Sequence, residues 1–193
     1  MKFGPSPLSY DLVMELLYKS GLESLATFSI ADQVELSSDL GFSHFEIALD
    51  IFQTFPIPIT QDELTKLKTL KHQKSLSFSC HLPFFSLDLA VSNQYIREGT
   101  QNAFINAYKS LRDLEKDIDC YVIHPIGENT TEMLRFMGNF PISSAGVDLC
   151  TQYAIQGIQI LLKETGINPN KIAIENLKFP LESTLGIIKE TST

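Results

Sequence analysis

"DCYVIHPIGENTTEM", residues 119–133, begins with an apolar run that is typical of a buried strand. The run ends at His124, and Pro125 lacks the N–H that the interior of a strand requires. A histidine at this point has two interpretations. It is either a residue that caps the strand end through nearby backbone groups or a metal ligand at the mouth of a barrel. One strand does not decide between them.

The rest of the chain alternates strand-like and helix-like segments. The strand segments are 1–4, 44–50, 75–81, 119–124 and 171–177. The helix segments are 9–21, 29–41, 60–73, 93–117, 143–166 and 181–193. Helices of this length between strands predict parallel βαβ units. Both a doubly wound sheet and a partial (β/α)8 barrel fit this pattern.

Two features favour the barrel. No GxGxxG motif follows the first strand, which lowers the nucleotide-binding alternative. Polar side chains gather where strands end, the edge that carries the chemistry in barrels. These residues are Asp50, His81, His124, Glu175 and Asn176. We therefore predict an α/β fold: a partial TIM barrel with about five parallel strands in the order 1-2-3-4-5. The helices would lie on the outer side, in one incomplete domain over residues 1–193.

Side chains alternate between the two faces of a strand, so each strand can be divided into two sides. His81 shares its side with Ser77 and Ser79, and Glu175 shares its side with Ala173. A third strand places a carboxylate in a similar position, with Glu46, Ala48 and Asp50 on one side. Small residues followed by an ionisable group predict a barrel interior with a polar mouth.

His81, His124 and Glu175 are the candidate metal ligands. Two neutral imidazoles and a carboxylate suit Zn²⁺, and also Mn²⁺ or Fe²⁺. An ion would also neutralise Glu175 in a site walled by apolar residues, where a bare carboxylate is costly. A single histidine or glutamate at a strand end is more often structural. Three of them on neighbouring strands make the metal interpretation stronger.

Four segments resemble a known superfamily, the xylose isomerase-like TIM barrels, which include sugar phosphate isomerases/epimerases and endonuclease IV-like proteins. They are "ADQVELSSDLGFSHFEIAL", "CHLPFFSLDLA", "VIHPIGE" and "IAIENL". The resemblance implies zinc ligands at His81, His124 and Glu175. It also implies catalysis by Glu175 with a divalent metal, Zn²⁺ or Mn²⁺. The histidine pair resembles the hydrolase-like branch more than the isomerases, which lean on the strand-5 glutamate and on ligands from later strands.

The sequence departs from that family in length. A full barrel has eight strands, whereas about five are predicted here, and no histidine follows Glu175. The expected metal site is therefore incomplete, and the last strand would leave an open edge. Three alternatives stay open: a truncated product, one piece of a split gene, or a subunit that an oligomer or a partner chain completes.

The segments after the strands carry aromatic residues and almost no basic ones. A nuclease needs several Lys or Arg side chains near its mouth, so nucleic acid is an unlikely partner. Phe84, Phe85 and Asn176 are the candidate substrate-binding residues, because aromatic rings at a pocket mouth suit a sugar face. The alternative is that the rings pack the loops onto the barrel. His44 and His72 are interpreted as solvated surface residues.

The composition of the chain limits its location and partners. The 193 residues carry a net charge of −8, which argues weakly against polyanionic partners. The chain has no membrane-length apolar run and no signal-peptide core, so no membrane association is expected. Three cysteines without CxxC spacing predict reduced thiols in a cytoplasmic protein, with Cys80 and Cys120 as small buried hydrophobic residues.

Two functional hypotheses follow. The first is a divalent-metal-dependent enzyme that acts on a small sugar-like or ester substrate, as an isomerase/epimerase or a hydrolase. Glu175 and Glu46 would be its catalytic carboxylates, although Glu46 could equally be a structural carboxylate inside the barrel. The second is a catalytically inert barrel, or a subunit that needs a partner chain to complete the fold.

Overall fold

A computed structural model describes residues 4–6, 10–21, 23–55, 59–137, 143–176 and 179–193. The chain forms two compact units. The first contains Met1–Pro83 and Ser110–Tyr121, and the second contains Phe84–Lys109 and Val122–Thr193. The sequence predicts that the two units belong to one domain, and this stays a prediction.

The described residues of the first unit form five α-helices and the first strands of the sheet. Its helices are α1 (Tyr10–Ser20), α2 (Glu23–Ala26), α3 (Ile30–Asp39), α4 (Asp50–Thr54) and α5 (Gln61–Lys74). Its strands are β1 (His44–Ala48), β2 (Ser77–His81) and most of β3 (Ile118–Ile123), and they lie in that order in the sheet.

Capping residues set several helix boundaries in this unit. Ser29 begins α3 by accepting a hydrogen bond from the Asp32 backbone N–H at 3.0 Å. Thr60 begins α5 by accepting one from the Glu63 N–H at 3.2 Å. Gly21 ends α1 with a φ of 70°, a left-handed conformation that glycine adopts without strain.

β1 and β2 pair in parallel, and His44 lies opposite Ser77 in their register. Phe45 and Phe78 are fully buried on one side of this pair, with ring centroids 6.5 Å apart. Alternation then places the polar residues of both strands on the opposite side. The register therefore brings the serines of β2 beside the histidine and glutamate of β1.

The described residues of the second unit form four α-helices and the last strand of the sheet. The helices are α6 (Gln94–Ser110, whose last residue belongs to the first unit), α7 (Glu128–Met137), α8 (Ser143–Thr165) and α9 (Leu181–Thr191). β4 (Ile172–Ile174) lies beside the end of β3. The α/β class with parallel strands is confirmed for the four strands of the described residues.

Several strand boundaries differ from the predicted ones. β1 ends at Ala48 and not at Asp50, because the chain turns into α4 at that residue. Asp50 is the first residue of α4 and is buried. β2 begins at Ser77, and β4 covers only Ile172–Ile174. The predicted first strand, 1–4, lies outside the described residues except for Gly4.

The described residues next to that segment lie against β1. The carbonyl of Pro5 accepts a hydrogen bond from the Glu46 N–H at 3.3 Å. A Cβ at Gly4 would lie 1.6 Å from the His44 carbonyl oxygen, so only glycine fits this approach. No helix of the described part of the chain has the length and apolar character that crossing a membrane requires.

Candidate active site

The strongest candidate pair in the second unit is His124 and Glu175. His124 directly follows β3 and is 8% exposed. Glu175 directly follows β4, and its backbone N–H donates to the Ile123 carbonyl at 3.0 Å, which continues the strand pairing by one residue. Glu175 Oε2 lies 3.2 Å from His124 Nε2. Adjacent strand ends thus place an imidazole and a carboxylate in direct contact.

A cavity of about 390 Å³ opens beside this histidine. Its lining includes Phe84, His124, Ile126, Gly127, Glu128 and Glu132. The Phe84 ring lies over the imidazole, with centroids 4.8 Å apart and planes inclined by 41°. A cavity with one aromatic wall and a few polar groups is typical of a small-molecule site.

A buried carboxylate holds the Phe84 loop in place. Asp88 is 2% exposed and accepts hydrogen bonds from the Ala90 N–H at 3.0 Å and from Thr130 near the start of α7. Its own N–H donates to the Thr100 hydroxyl at 3.0 Å. Asp88 therefore ties the loop to α6 through its backbone N–H and to α7 through its carboxylate. Local sequence patterns do not predict this contact, because its partners lie 12 and 42 residues away.

In the first unit, His81 is the last residue of β2 and is 8% exposed. Its Nδ1 lies 2.7 Å from the Leu82 carbonyl oxygen, which accepts hydrogen bonds only. Nδ1 therefore carries a proton, and in the neutral ring the lone pair is on Nε2. An imidazole oriented in this way is in the state that metal coordination requires.

Glu46 and His44 belong to a polar network on the β1–β2 pair of the same unit. His44 Nδ1 lies 2.9 Å from Ser77 Oγ, and His44 Nε2 lies 3.1 Å from Ser79 Oγ. Ser79 Oγ in turn lies 3.5 Å from Glu46 Oε2. The interpretation of His44 as a solvated surface residue is wrong, because both ring nitrogens are bonded to serines of the neighbouring strand. The alternation in β1 and β2 was the signal that could have identified it.

The other candidates have less specific surroundings. Phe85 is 52% exposed and meets Phe84 edge-on, with centroids 6.4 Å apart. Asn176 Oδ1 accepts a hydrogen bond from the Phe179 N–H at 3.1 Å and so shapes the turn after β4. The substrate-binding roles of Phe84, Phe85 and Asn176 stay predictions.

The structure has no disulfide among the described residues, which include all three cysteines. Cys80 and Cys150 are buried, whereas Cys120 is only partly buried. Burial raises the pKa of the Cys80 thiol well above its usual value, and the negative charge of Glu46 raises it further. The Cys80 thiol is therefore neutral at physiological pH and is neither a nucleophile nor a metal ligand.

The donor chemistry of the predicted ligand residues fits a divalent ion. His81, His124 and Glu175 each offer one ligand atom, an imidazole nitrogen or a carboxylate oxygen. These are the donors that Zn²⁺ and Mn²⁺ accept in proteins. The residues present thus fit the group that the resemblance implies.

Comparison with known proteins gives matches among solved structures. No protein-family model matches the chain, and no curated protein matches it. A D-tagatose 3-epimerase-like protein is similar over 98% of this chain and 60% of its own, at 21% identity and a TM-score of 0.58. D-psicose 3-epimerase, in the presence of D-fructose, is similar over 86% of this chain and 55% of its own, at 14% identity and a TM-score of 0.57.

A third solved structure, SacUVDE, is similar over 99% of this chain and 66% of its own, at 15% identity and a TM-score of 0.54. At these identities the likeness shows the fold alone. The predicted fold is confirmed: the chain has the α/β fold of these TIM-barrel structures. It spans between 55% and 66% of the lengths of the three.

Proposed function

We propose that this protein is a divalent-metal-dependent enzyme that epimerises or isomerises a small, sugar-like substrate. The observation that carries the proposal is the contact between His124 and Glu175, at 3.2 Å. This contact lies beside a cavity of about 390 Å³, and the Phe84 ring forms part of the cavity wall. An imidazole–carboxylate pair at strand ends next to an aromatic-walled cavity combines a ligand set with room for a small substrate.

His81, His124 and Glu175 would hold the ion, Zn²⁺ or Mn²⁺. When bound, the ion would supply Lewis-acid polarisation of a substrate carbonyl or hydroxyl. His81 supports this role because its Nδ1–H is fixed on the Leu82 carbonyl, which leaves Nε2 as the donor atom. His81 is the last residue of β2, and His124 directly follows β3.

The charge of the cavity argues for a substrate without phosphate. No lysine or arginine lies among the described residues that line it, whereas Glu128 and Glu132 do. The start of α7 does not offer a free anion site either, because the Asp88 carboxylate accepts from the Thr130 N–H there. Phe84 supplies a flat apolar surface for a sugar face. D-psicose and D-tagatose, which the similar structures name, are suitable first substrates.

Inverting a stereocentre beside a carbonyl requires a group that takes up and returns a proton. Glu175 and Glu46 are the carboxylates proposed for this role. Glu175 directly follows β4, whereas Glu46 is the central residue of β1. The Glu46 carboxylate lies 3.5 Å from a serine hydroxyl that can donate to it.

Ester hydrolysis is the second candidate function. Its supporting observation is that two of the three proposed ligands are imidazoles, a set that suits Zn²⁺ and hydrolytic chemistry. The two reactions differ in their products, since only ester hydrolysis releases an acid. A proton-release assay with simple esters therefore separates hydrolysis from epimerisation.

The test is metal content and turnover in the full chain. Purified protein should bind about one equivalent of Zn²⁺ or Mn²⁺ and interconvert D-psicose and D-fructose. His81→Ala, His124→Ala and Glu175→Ala should each lower metal affinity by tenfold or more. His72→Ala is the control, since that side chain is 75% exposed on α5, and it should bind metal like the wild type. Equal metal content in all five proteins would overturn the proposal.

A further inference from the structure

A series of close polar contacts in the first unit runs from the carbonyl of Ser43 to the carboxylate of Glu46. The Ser77 hydroxyl lies 3.2 Å from the Ser43 carbonyl oxygen and 2.9 Å from His44 Nδ1. The other ring nitrogen, Nε2, lies 3.1 Å from the Ser79 hydroxyl, which lies 3.5 Å from Glu46 Oε2. Ser77 and Ser79 are 9% and 7% exposed, so water competes little for these bonds.

The proton position on His44 decides what the Ser79 hydroxyl does. If Nε2 carries the proton, it donates to Ser79, and the Ser79 O–H is then free to donate to Glu46. If Nδ1 carries it, the ring donates to Ser77, and the Ser79 O–H turns to the bare Nε2. Each hydroxyl has only one proton to donate, so Glu46 receives the Ser79 hydrogen bond in only one of the two tautomers.

We propose that His44 is a positioning residue that, as the Nε2–H tautomer, aims the Ser79 hydroxyl at the Glu46 carboxylate. The proposal rests on the proposed function, in which Glu46 moves a proton. A hydroxyl held against the carboxylate fixes the rotamer of Glu46. The bond of 3.5 Å is long, and catalytic hydrogen bonds shorten when substrate binds. Glu46 takes part in the reaction, whereas His44 and Ser79 act through it.

The tautomer is the first test and needs no substrate. Long-range ¹H–¹⁵N NMR distinguishes Nε2–H from Nδ1–H in a neutral imidazole, and the chain has four histidines to assign. The His44 resonances are identified by their loss in His44→Gln. The Nε2–H form is expected in the wild type. A ring protonated on Nδ1 would overturn the proposal, whatever the enzyme assay gives.

Kinetics in the full chain loaded with Mn²⁺ are the second test, with D-psicose as the probe. Ser79→Ala and His44→Ala should lower kcat roughly tenfold and leave KM within about twofold, as expected for loss of one hydrogen bond that acts in the transition state. His44→Gln keeps an N–H near the position of Nε2 and should recover part of kcat. Ser77→Ala removes the opposite bond and should change kcat less than Ser79→Ala.

These outcomes separate this proposal from the proposed function. If the wild type is active and Ser79→Ala keeps full kcat, the positioning role is overturned while the enzyme assignment stands. If the wild type turns over neither sugars nor esters, the proposed function fails, and the tautomer alone decides the hydrogen-bond arrangement. Melting curves by circular dichroism accompany each variant, so that a loss of folded protein is measured and corrected for.

Discussion

The carboxylate of Asp88 accepts two hydrogen bonds from Thr130, one from its backbone N–H at 2.7 Å and one from its hydroxyl at 2.9 Å. Both residues are buried, and Thr130 is the third residue of α7. The contact satisfies a helix N–H that has no partner within the helix. It also fixes the start of α7, which forms part of the cavity wall.

Asp88→Asn should therefore destabilise the protein by about 2 kcal/mol. The asparagine NH₂ group would replace one of the two carboxylate oxygens and would face a hydrogen-bond donor there. Asp88→Ala removes both acceptors and should cost about 3 kcal/mol. Urea unfolding followed by circular dichroism measures both. Asp148→Asn is the matched control on an exposed part of α8, with an expected change within about 0.5 kcal/mol. An Asp88→Asn variant as stable as this control would contradict the prediction.

Gly127 allows the loop and the start of α7 to approach each other. A Cβ at this position would lie 2.1 Å from the Leu87 carbonyl oxygen and 2.9 Å from Asp88 Cβ. Because the first neighbour is backbone, the loop itself must move. Gly127→Ala should lower the free energy of unfolding by about 2 kcal/mol.

Gly99→Ala is the control for that substitution. Gly99 lies in α6 with open space around its Cβ position, so alanine there should stabilise the helix by up to about 1 kcal/mol. The same unfolding assay reports both changes, and opposite signs are expected. Destabilisation by both, to the same extent, would mean that the contact with Leu87 is not the cause.

Phe84 and Phe85 are adjacent in sequence but differ in their relation to the cavity. Phe84 lines it and contacts His124, whereas Phe85 is not among the described residues that line it. Phe84→Ala should weaken D-psicose binding by about three- to tenfold, as expected for one lost stacking contact. Phe85→Ala should change it by less than twofold. Isothermal titration of the metal-loaded protein measures both, and a reversed order of the two effects would rule out Phe84 as the sugar platform.

Local sequence signals predicted most of the fold. Ser29, Thr60, Gly21 and Gly166 mark helix ends through capping and left-handed backbone, both of which depend on residues within one turn. The carboxyl ends of β2, β3 and β4 were also located to within about one to three residues, because polar residues follow short apolar runs. These features are local, so one sequence is enough to predict them.

The errors concern contacts between distant residues. The exposure of His44 depends on its register with Ser77, which is 33 residues away. The role of Asp88 depends on Thr130, 42 residues away. Asp50 was predicted to end a strand because it completes an alternation of apolar and polar residues over 44–50. The Leu49 N–H still donates to the His81 carbonyl at 2.9 Å, but the backbone then turns into α4. Neither register nor long-range pairing is encoded in local composition.

The buried thiol of Cys80 predicts how stability depends on pH. Burial is the main cause that raises its pKa well above the usual value, and the negative charges of Glu46 and Cys120 raise it further. In the unfolded chain the pKa of cysteine is about 8.5. The folded state therefore holds a proton that the unfolded state loses. Stability is full below pH of about 8.5 and declines as pH rises from there towards the folded pKa, by up to about 1.4 kcal/mol per pH unit.

Cys80→Ala should make this alkaline decline shallower, even though the smaller side chain lowers stability at pH 7. Some decline remains, because burial also raises the pKa of Cys150. Ile47→Val is the matched control, since Ile47 lies opposite Cys80 in the register and is fully buried but does not ionise. It should cost about 1 kcal/mol at every pH and keep the wild-type slope. Urea unfolding at several values between about pH 7 and 10 gives the three slopes. Only a group that titrates differently in the folded and unfolded states changes this slope. Equal slopes for wild type and Cys80→Ala would therefore contradict the prediction, because they would show that the Cys80 thiol ionises equally readily in both states.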